Sequence, residues 1–207
     1  KVYIGHGRNV ATLEEVDGTV FSPAAAATYT FTGTALRLPP YYKVRTITEL
    51  GDKVMLGTIR PDNISSSTGE TTIQSSAAAD IFPWDRSNKS FFLPIRLKER
   101  GVNAAVTVDN IVYFFAGLEG RCFATNGVSV KEVFRLPIEL LGTLPADTRA
   151  EVFPGALMYF NGKLLFGINR SVAGSYAQIW SYDLKTGRLA IENEISSGFS
   201  SGFKIGS

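Results

Sequence analysis

The sequence predicts an all-β protein of the β-propeller type, made of four blades with four antiparallel strands each. Three observations favour this fold: an eight-residue pattern that recurs along the chain, hairpin turns around each copy, and a strand-rich composition. The composition includes 44% apolar residues, 12% aromatic residues and 20 Gly among 207 residues, with only 19% charged residues. Such a composition favours short strands joined by tight turns over helices.

The recurring pattern is Lys, aliphatic, any residue, large apolar, Gly, two variable residues and Arg. It is read as KVYIGHGR from Lys1, KVMLGTIR from Lys53 and KLLFGINR from Lys163. The copies from Lys53 and Lys163 lie two repeat lengths apart. A fourth copy is therefore expected midway between them, near residue 108, and NIVYFFAG begins there at Asn110. Units of four strands that repeat about every 50 residues are typical of propeller blades.

Turns rich in Gly, Asn and Asp precede and follow each copy, so the copy is the second strand of a four-stranded meander. With strands labelled A (innermost) to D (outermost), the first unit has B 1–5, C 9–16 and D 19–22. The later units have A 43–50, B 53–59, C 79–84 and D 90–97; A 102–108, B 111–116, C 121–125 and D 129–136; and A 153–160, B 163–168, C 177–182 and D 188–195. The single Gly at the end of each B strand predicts a bend or a close backbone approach.

The predicted blades are therefore 1–22, 43–97, 102–136 and 153–195, and residues 199–206 resemble one further A strand. The first unit lacks an A strand, so two arrangements are open. Either residues 199–206 pair with the first unit and close a four-bladed ring, or the four blades belong to a larger ring. We favour the larger ring, because propellers have about 4–8 blades and the chain begins with Lys1 instead of Met.

Long connections are predicted on one face, which we call the loop face and which carries the B–C and D–A connections. They are residues 61–79, 171–176, 23–42 and 138–150. Binding residues collect on loops held by a rigid scaffold. The candidate interaction residues on this face are Asn63, Ser66, Thr68, Glu70, Tyr29, Phe31, Tyr41 and Tyr176.

Motifs for catalysis, cofactors or metals are sparse. His6 is the single His and Cys122 the single Cys, so neither a cysteine metal cluster nor a disulfide is possible within the chain. No nucleophile elbow or phosphate-binding loop occurs, and we predict no catalytic residue, no cofactor and no metal site. A pair of carboxylates for glycoside cleavage remains open, with nothing to select two among Asp80, Asp85, Glu99, Asp147, Glu151 and Asp183.

Charge and hydropathy exclude two classes of partner. The net charge is only +2 and the basic residues alternate with apolar ones along strands, which argues against specific nucleic-acid binding. The longest apolar runs fall far short of the roughly 18–20 residues that a membrane span needs.

Three segments resemble divergent propellers of tailed-phage virion proteins, including tail-nozzle and minor tail components: IVYFFAGLEGR (111–121), TNGVSV (125–130) and QIWSYD (178–183). The resemblance implies a virion or extracellular location, and contacts with neighbouring subunits of a ring or tail or with host-surface glycans. We therefore expect a non-catalytic interaction propeller in a multi-subunit assembly. The alternative is a carbohydrate-binding or glycan-cleaving propeller, which needs aromatic platforms beside carboxylates instead of apolar contacts to other chains.

Overall fold

The computed structural model describes residues 2–6, 8–15, 29–60, 78–87, 89–117, 119–137, 152–169 and 177–195. These residues form strands and turns and no helix, so none of them belongs to a helix that could cross a membrane. The all-β prediction is confirmed.

Fifteen strands are described, numbered in chain order. They are β1 (Val2–His6), β2 (Asn9–Glu15), β3 (Tyr29–Arg37), β4 (Lys43–Leu50), β5 (Lys53–Ile59), β6 (Asp80–Trp84), β7 (Ile95–Arg96), β8 (Val102–Val108), β9 (Ile111–Ala116), β10 (Arg121–Thr125), β11 (Val130–Arg135), β12 (Val152–Phe160), β13 (Lys163–Asn169), β14 (Ala177–Asp183) and β15 (Leu189–Ile195). They make four sheets: β1 to β3, β4 to β7, β8 to β11 and β12 to β15. Every described pairing is antiparallel between strands that follow each other in sequence, as the meander predicts.

Tight hairpins join the first two strands of the later sheets, because their residues accept positive φ. Asp109 and Asn110 have φ of 47° and 60°, and Asn161 and Gly162 have φ of 47° and 80°. Two successive positive φ values are the requirement of the hairpin turn that matches strand twist. These turns fix the register of Val108 opposite Ile111 and of Phe160 opposite Lys163.

The sheets pack face to face as blades. Strand β8 contacts both β4 and β12, so the first strands of the three later sheets lie side by side. One core cluster lies between the first and second sheets, one between the second and third, and one between the third and fourth. Successive residues of a B strand enter different clusters: Val54 packs with the first cluster and Met55 with the second.

The first sheet differs from the prediction in its outer strand. Strand β3 lies at Tyr29–Arg37 and pairs with β2 from Asn9 opposite Arg37 to Glu15 opposite Tyr29, whereas we predicted strand D at 19–22. The segment alternates Thr with apolar residues, which suits a half-buried strand, and Leu36 is fully buried. Tyr29 and Phe31 are therefore strand residues and not residues of a long loop.

The outermost strand of the second sheet is shorter than predicted. We predicted 90–97, but β7 covers only Ile95–Arg96. Pro94 has no backbone N–H to donate to β6, and the next contact is the N–H of Phe92, which donates to the Pro83 carbonyl at 2.9 Å. The chain therefore bulges at Leu93, which is 89% exposed.

These two differences overturn the prediction that long connections lie on one face. The connection from β3 to β4 is only residues 38–42, while residues 16–28 and 85–94 connect third to fourth strands of their units. The strand ends that these residues join are at the opposite face, with the A–B and C–D turns, which we call the turn face. Both faces thus carry long connections.

Strand β1 occupies the position of a B strand. A Cβ placed on Gly5 would lie 2.7 Å from Val44 Cγ1 of β4, as a Cβ on Gly57 of β5 would lie 2.6 Å from Val102 Cγ1 of β8. Within the described residues the first sheet therefore lacks an innermost strand. Residues 199–206, predicted as a further A strand, lie outside the described residues, and ring closure stays a prediction.

Candidate binding surface

An open cleft of about 630 Å³ lies between the outer parts of the second and third sheets. Its side chains come from the bulged segment before β7 and from the turn between β10 and β11, with Lys53 at the start of β5 between them. Both hairpin segments belong to the turn face. The cleft is therefore built by two neighbouring blades and not by one.

Local sequence holds the apolar wall of the cleft in an exposed position. The bulge before Pro94 leaves Phe92 46% and Leu93 89% exposed. Across the cleft, Asn126 Oδ1 accepts hydrogen bonds from the backbone N–H groups of Val128 at 3.1 Å and Ser129 at 3.2 Å. This side-chain-capped turn leaves Val128 85% exposed.

Gly127 brings that turn close to the second sheet. Its φ of 90° is a conformation that favours glycine, and a Cβ there would lie 3.0 Å from Leu50 Cδ2. The Gly127 N–H donates to Thr125 Oγ1 at 3.0 Å. The turn of the third blade is thus fixed against the A–B hairpin of the second blade.

Lys53 and Arg96 are the charged residues that line the cleft, and of these two Lys53 turns its charged group toward it. Lys53 Nζ lies 4.8 Å from the centroid of the Phe92 ring, within cation–π distance. Arg96 stands opposite Asp80 in the β6–β7 pairing, and its Nε lies 3.5 Å from Asp80 Oδ1, on the face of the second sheet that packs against the first sheet. No carboxylate is among the described residues that line the cleft.

A second polar group, on the loop face, surrounds Asp80. The Asp80 side chain is almost fully buried and accepts a 2.6 Å hydrogen bond from Tyr42 Oη. Thr58 Oγ1 donates to the Asp80 backbone carbonyl at 2.6 Å. Burial and the neighbouring carboxylate raise the pKa of Tyr42. The guanidinium of Arg60 lies 5.1 Å from the centroid of the Tyr42 ring. These contacts tie the β3–β4 connection to β5 and β6.

Four of the carboxylates considered for glycoside cleavage are described, and each has a structural partner. Asp80 is bound as above, and Asp85 Oδ1 accepts from the Ser87 N–H at 3.0 Å. Glu99 Oε1 lies 2.8 Å from Arg121 Nη1. The backbone N–H of Thr186 is the first cause of a lowered pKa at Asp183, which caps that turn. Asp147 and Glu151 lie outside the described residues.

The single Cys and the single His both lie in strands. Cys122 is fully buried, and burial raises the pKa of its thiol far above the ordinary value. His6 is the last residue of β1. Within the described ranges, no three His, Cys, Asp or Glu side chains are grouped so that they could hold a metal ion.

The structure describes only some of the predicted interaction residues. Asn63, Ser66, Thr68, Glu70 and Tyr176 lie outside the described residues, and Tyr29 and Phe31 lie in β3. Tyr41 is in the β3–β4 connection and is 78% exposed, with a φ of 74°. The structure does not bring Tyr41 to the cleft.

Sequence reasoning missed Phe92, Leu93 and Val128. One signal was available, since Phe91-Phe92-Leu93-Pro94 is an apolar run that ends in Pro where an outermost strand should alternate with polar residues. Such a run marks either a buried segment or an exposed contact.

No protein-family model matches the chain, and no curated protein shows significant sequence similarity to it. Two solved structures resemble its fold. A chain in the crystal structure of a nidogen/laminin complex aligns with a TM-score of 0.56 and 12% identity, over 97% of this chain and 64% of that one. An oligogalacturonate lyase in complex with manganese aligns with a TM-score of 0.52 and 11% identity, over 80% of this chain and 45% of that one.

The fold is that of a β-propeller. At such low identities the two likenesses support the fold alone, together with the stacked antiparallel sheets. The chain spans less than two thirds of the length of either neighbour.

Proposed function

We propose that this chain is a non-catalytic interaction propeller that binds another protein subunit within a multi-subunit assembly. The observation that carries the proposal is the cleft of about 630 Å³ with Leu93 89% and Val128 85% exposed on its two sides. Apolar side chains grouped around a concave surface are typical of protein contact sites. Two blades supply the cleft.

The assembly we propose is extracellular, with a phage tail as the leading candidate. Support for a tail comes from the sequence resemblance of the segments 111–121, 125–130 and 178–183 to virion propellers. The nidogen/laminin neighbour is itself part of a protein complex, which is compatible with a propeller that binds protein. Partner subunits are either further copies in a ring or different tail proteins.

A photo-crosslinking experiment tests the proposal. A photoreactive phenylalanine analogue replaces Leu93 in the full chain, which is irradiated in its native particle or host extract. Phe160 is the matched control position, because it is 62% exposed and lies in the turn-face hairpin of the fourth sheet. We expect a discrete protein adduct from position 93 and none from position 160. No adduct at position 93, or equal adducts at both positions, would refute the proposal.

A second candidate function is carbohydrate binding or cleavage on the loop face, and one observation favours it. Tyr41 is 78% exposed and directly precedes Tyr42, whose hydroxyl donates to the Asp80 carboxylate, so an exposed aromatic residue adjoins in sequence the residue that binds a carboxylate. One structural neighbour is an oligogalacturonate lyase, an enzyme named for a carbohydrate. A glycan array distinguishes the two candidates. Glycan binding that is abolished by Tyr41→Ala and unchanged by Leu93→Ser would support the carbohydrate function over the protein-binding one.

A further inference from the structure

We propose that the cleft between the second and third sheets binds an extended segment of the partner in which apolar side chains alternate with or adjoin carboxylates. The proposal rests on the proposed function, since it names the chemistry of the partner that the same cleft contacts. The partner is a protein segment, and its recognition uses both an apolar wall and the Lys53 ammonium group.

The shape of the cleft favours a segment over a folded domain. Its volume of about 630 Å³ is in the range of pockets that hold several side chains. The bulged segment with Phe92 and Leu93 forms one side and the turn with Val128 forms the other. Such a channel between two hairpins accepts an extended chain whose apolar side chains enter between the walls.

Backbone geometry argues that side chains supply the recognition. A partner strand that extended the second sheet would pair along its outermost strand, but β7 has only two residues and Pro94 precedes it without an N–H. Regular strand addition is therefore interrupted at the cleft. On the second-sheet side of the cleft, recognition therefore falls to side chains: the apolar wall and the Lys53 charge.

The charges favour a carboxylate in the partner. The Lys53 ammonium group lines the cleft, and no acidic side chain is among its described lining residues. Lys53 Nζ is held over the Phe92 ring at 4.8 Å, where its charge borders the apolar wall. A partner carboxylate next to an apolar side chain would complement the Lys53 ammonium group and the apolar wall beside it.

A random peptide display library, selected on the immobilised full chain, tests the proposal. We expect enriched peptides in which Leu, Ile, Phe or Val adjoins Asp or Glu, and few with Lys or Arg. The best peptide is then synthesised with a fluorescent label, and its affinity is measured by anisotropy. Leu93→Ser and Val128→Ser should each weaken binding by about tenfold or more. Lys53→Glu should weaken it comparably and shift selection toward basic peptides.

Phe160→Ser is the control variant, because it removes an exposed aromatic side chain far along the turn face from the cleft residues, and we expect unchanged affinity. Circular dichroism and thermal melting verify that each variant is folded. Basic or carboxylate-free enriched peptides, no enrichment at all, or insensitivity to Leu93→Ser and Lys53→Glu would overturn the proposal. A crosslink from position 93 together with carboxylate-free peptides would refute the partner chemistry and leave the interaction function standing.

Discussion

Single glycines in the B strands let neighbouring blades approach closely. Gly57 in β5 faces Val102 of the next sheet and Thr46 of its own, and a Cβ at Gly57 would overlap the Thr46 hydroxyl. Gly5 in β1 meets Val44 in the same way. At Gly5 and Gly57 the recurring Gly of the eight-residue pattern is therefore explained by blade packing, as the sequence predicted for a close approach.

Gly57→Ala should destabilise the protein by about 1–3 kcal/mol, because the added methyl group overlaps side chains in a packed core. Urea denaturation measures the change in the free energy of unfolding. Met55→Leu, a swap of similar volume in the same strand, is the control and should cost less than about 1.5 kcal/mol. Equal stability of Gly57→Ala and the wild type would show that the two sheets are farther apart than described.

Cys122 should be unreactive in the folded protein. It has no exposed surface, and burial raises the pKa of its thiol, so the reactive thiolate is scarce at mildly alkaline pH. A thiol reagent such as Ellman's reagent should react with one equivalent only after denaturant is added. Rapid reaction in native buffer would contradict the burial of β10.

At the scale of elements, the B strands are sealed on both faces. In β9, Phe114 belongs to the core between the second and third sheets, and Phe115 belongs to the core between the third and fourth. A strand covered on both faces shows a continuous apolar run instead of alternation. The runs in the repeated pattern therefore predicted these strands well.

Leu164→Asp should unfold the fourth sheet. Leu164 in β13 is fully buried in the core between the third and fourth sheets, and an unpaired charge there costs several kcal/mol, a large share of a typical stability of about 5–15 kcal/mol. Ile191→Asp is the control, since Ile191 lies on the outermost strand and is 39% exposed. A melting temperature of Leu164→Asp equal to that of the control would refute the blade packing.

Strand ends were predictable where turn chemistry is local. Asp109-Asn110 and Asn161-Gly162 stand between apolar strands, and β8, β9 and β10 have the predicted bounds. The prediction failed where a turn signal misled: Asp17-Gly18 suggested a short hairpin, yet β3 begins at Tyr29. Pairing with β2 across residues 16–28 is a non-local choice, and turn residues alone do not determine it.

At the scale of the whole molecule, the cleft depends on the packing of two blades. Leu93 and Val128 belong to different sheets and come together only because β4 and β8 lie side by side. Sequence patterns describe one unit at a time, so they identified an exposed apolar run but not the wall facing it. This is why the predicted surface was the loop face, whereas the apolar cleft lies on the turn face.

Hydrogen–deuterium exchange, measured on the chain alone and in its native assembly, tests directly whether the cleft is the contact surface. We predict slower amide exchange at residues 89–96 and 126–130 in the assembly, because a bound partner excludes water and restrains these segments. The hairpin at 159–163 should exchange equally in both samples. Protection confined to the loop face at residues 38–42, with 89–96 and 126–130 unchanged, would contradict a binding surface in the cleft.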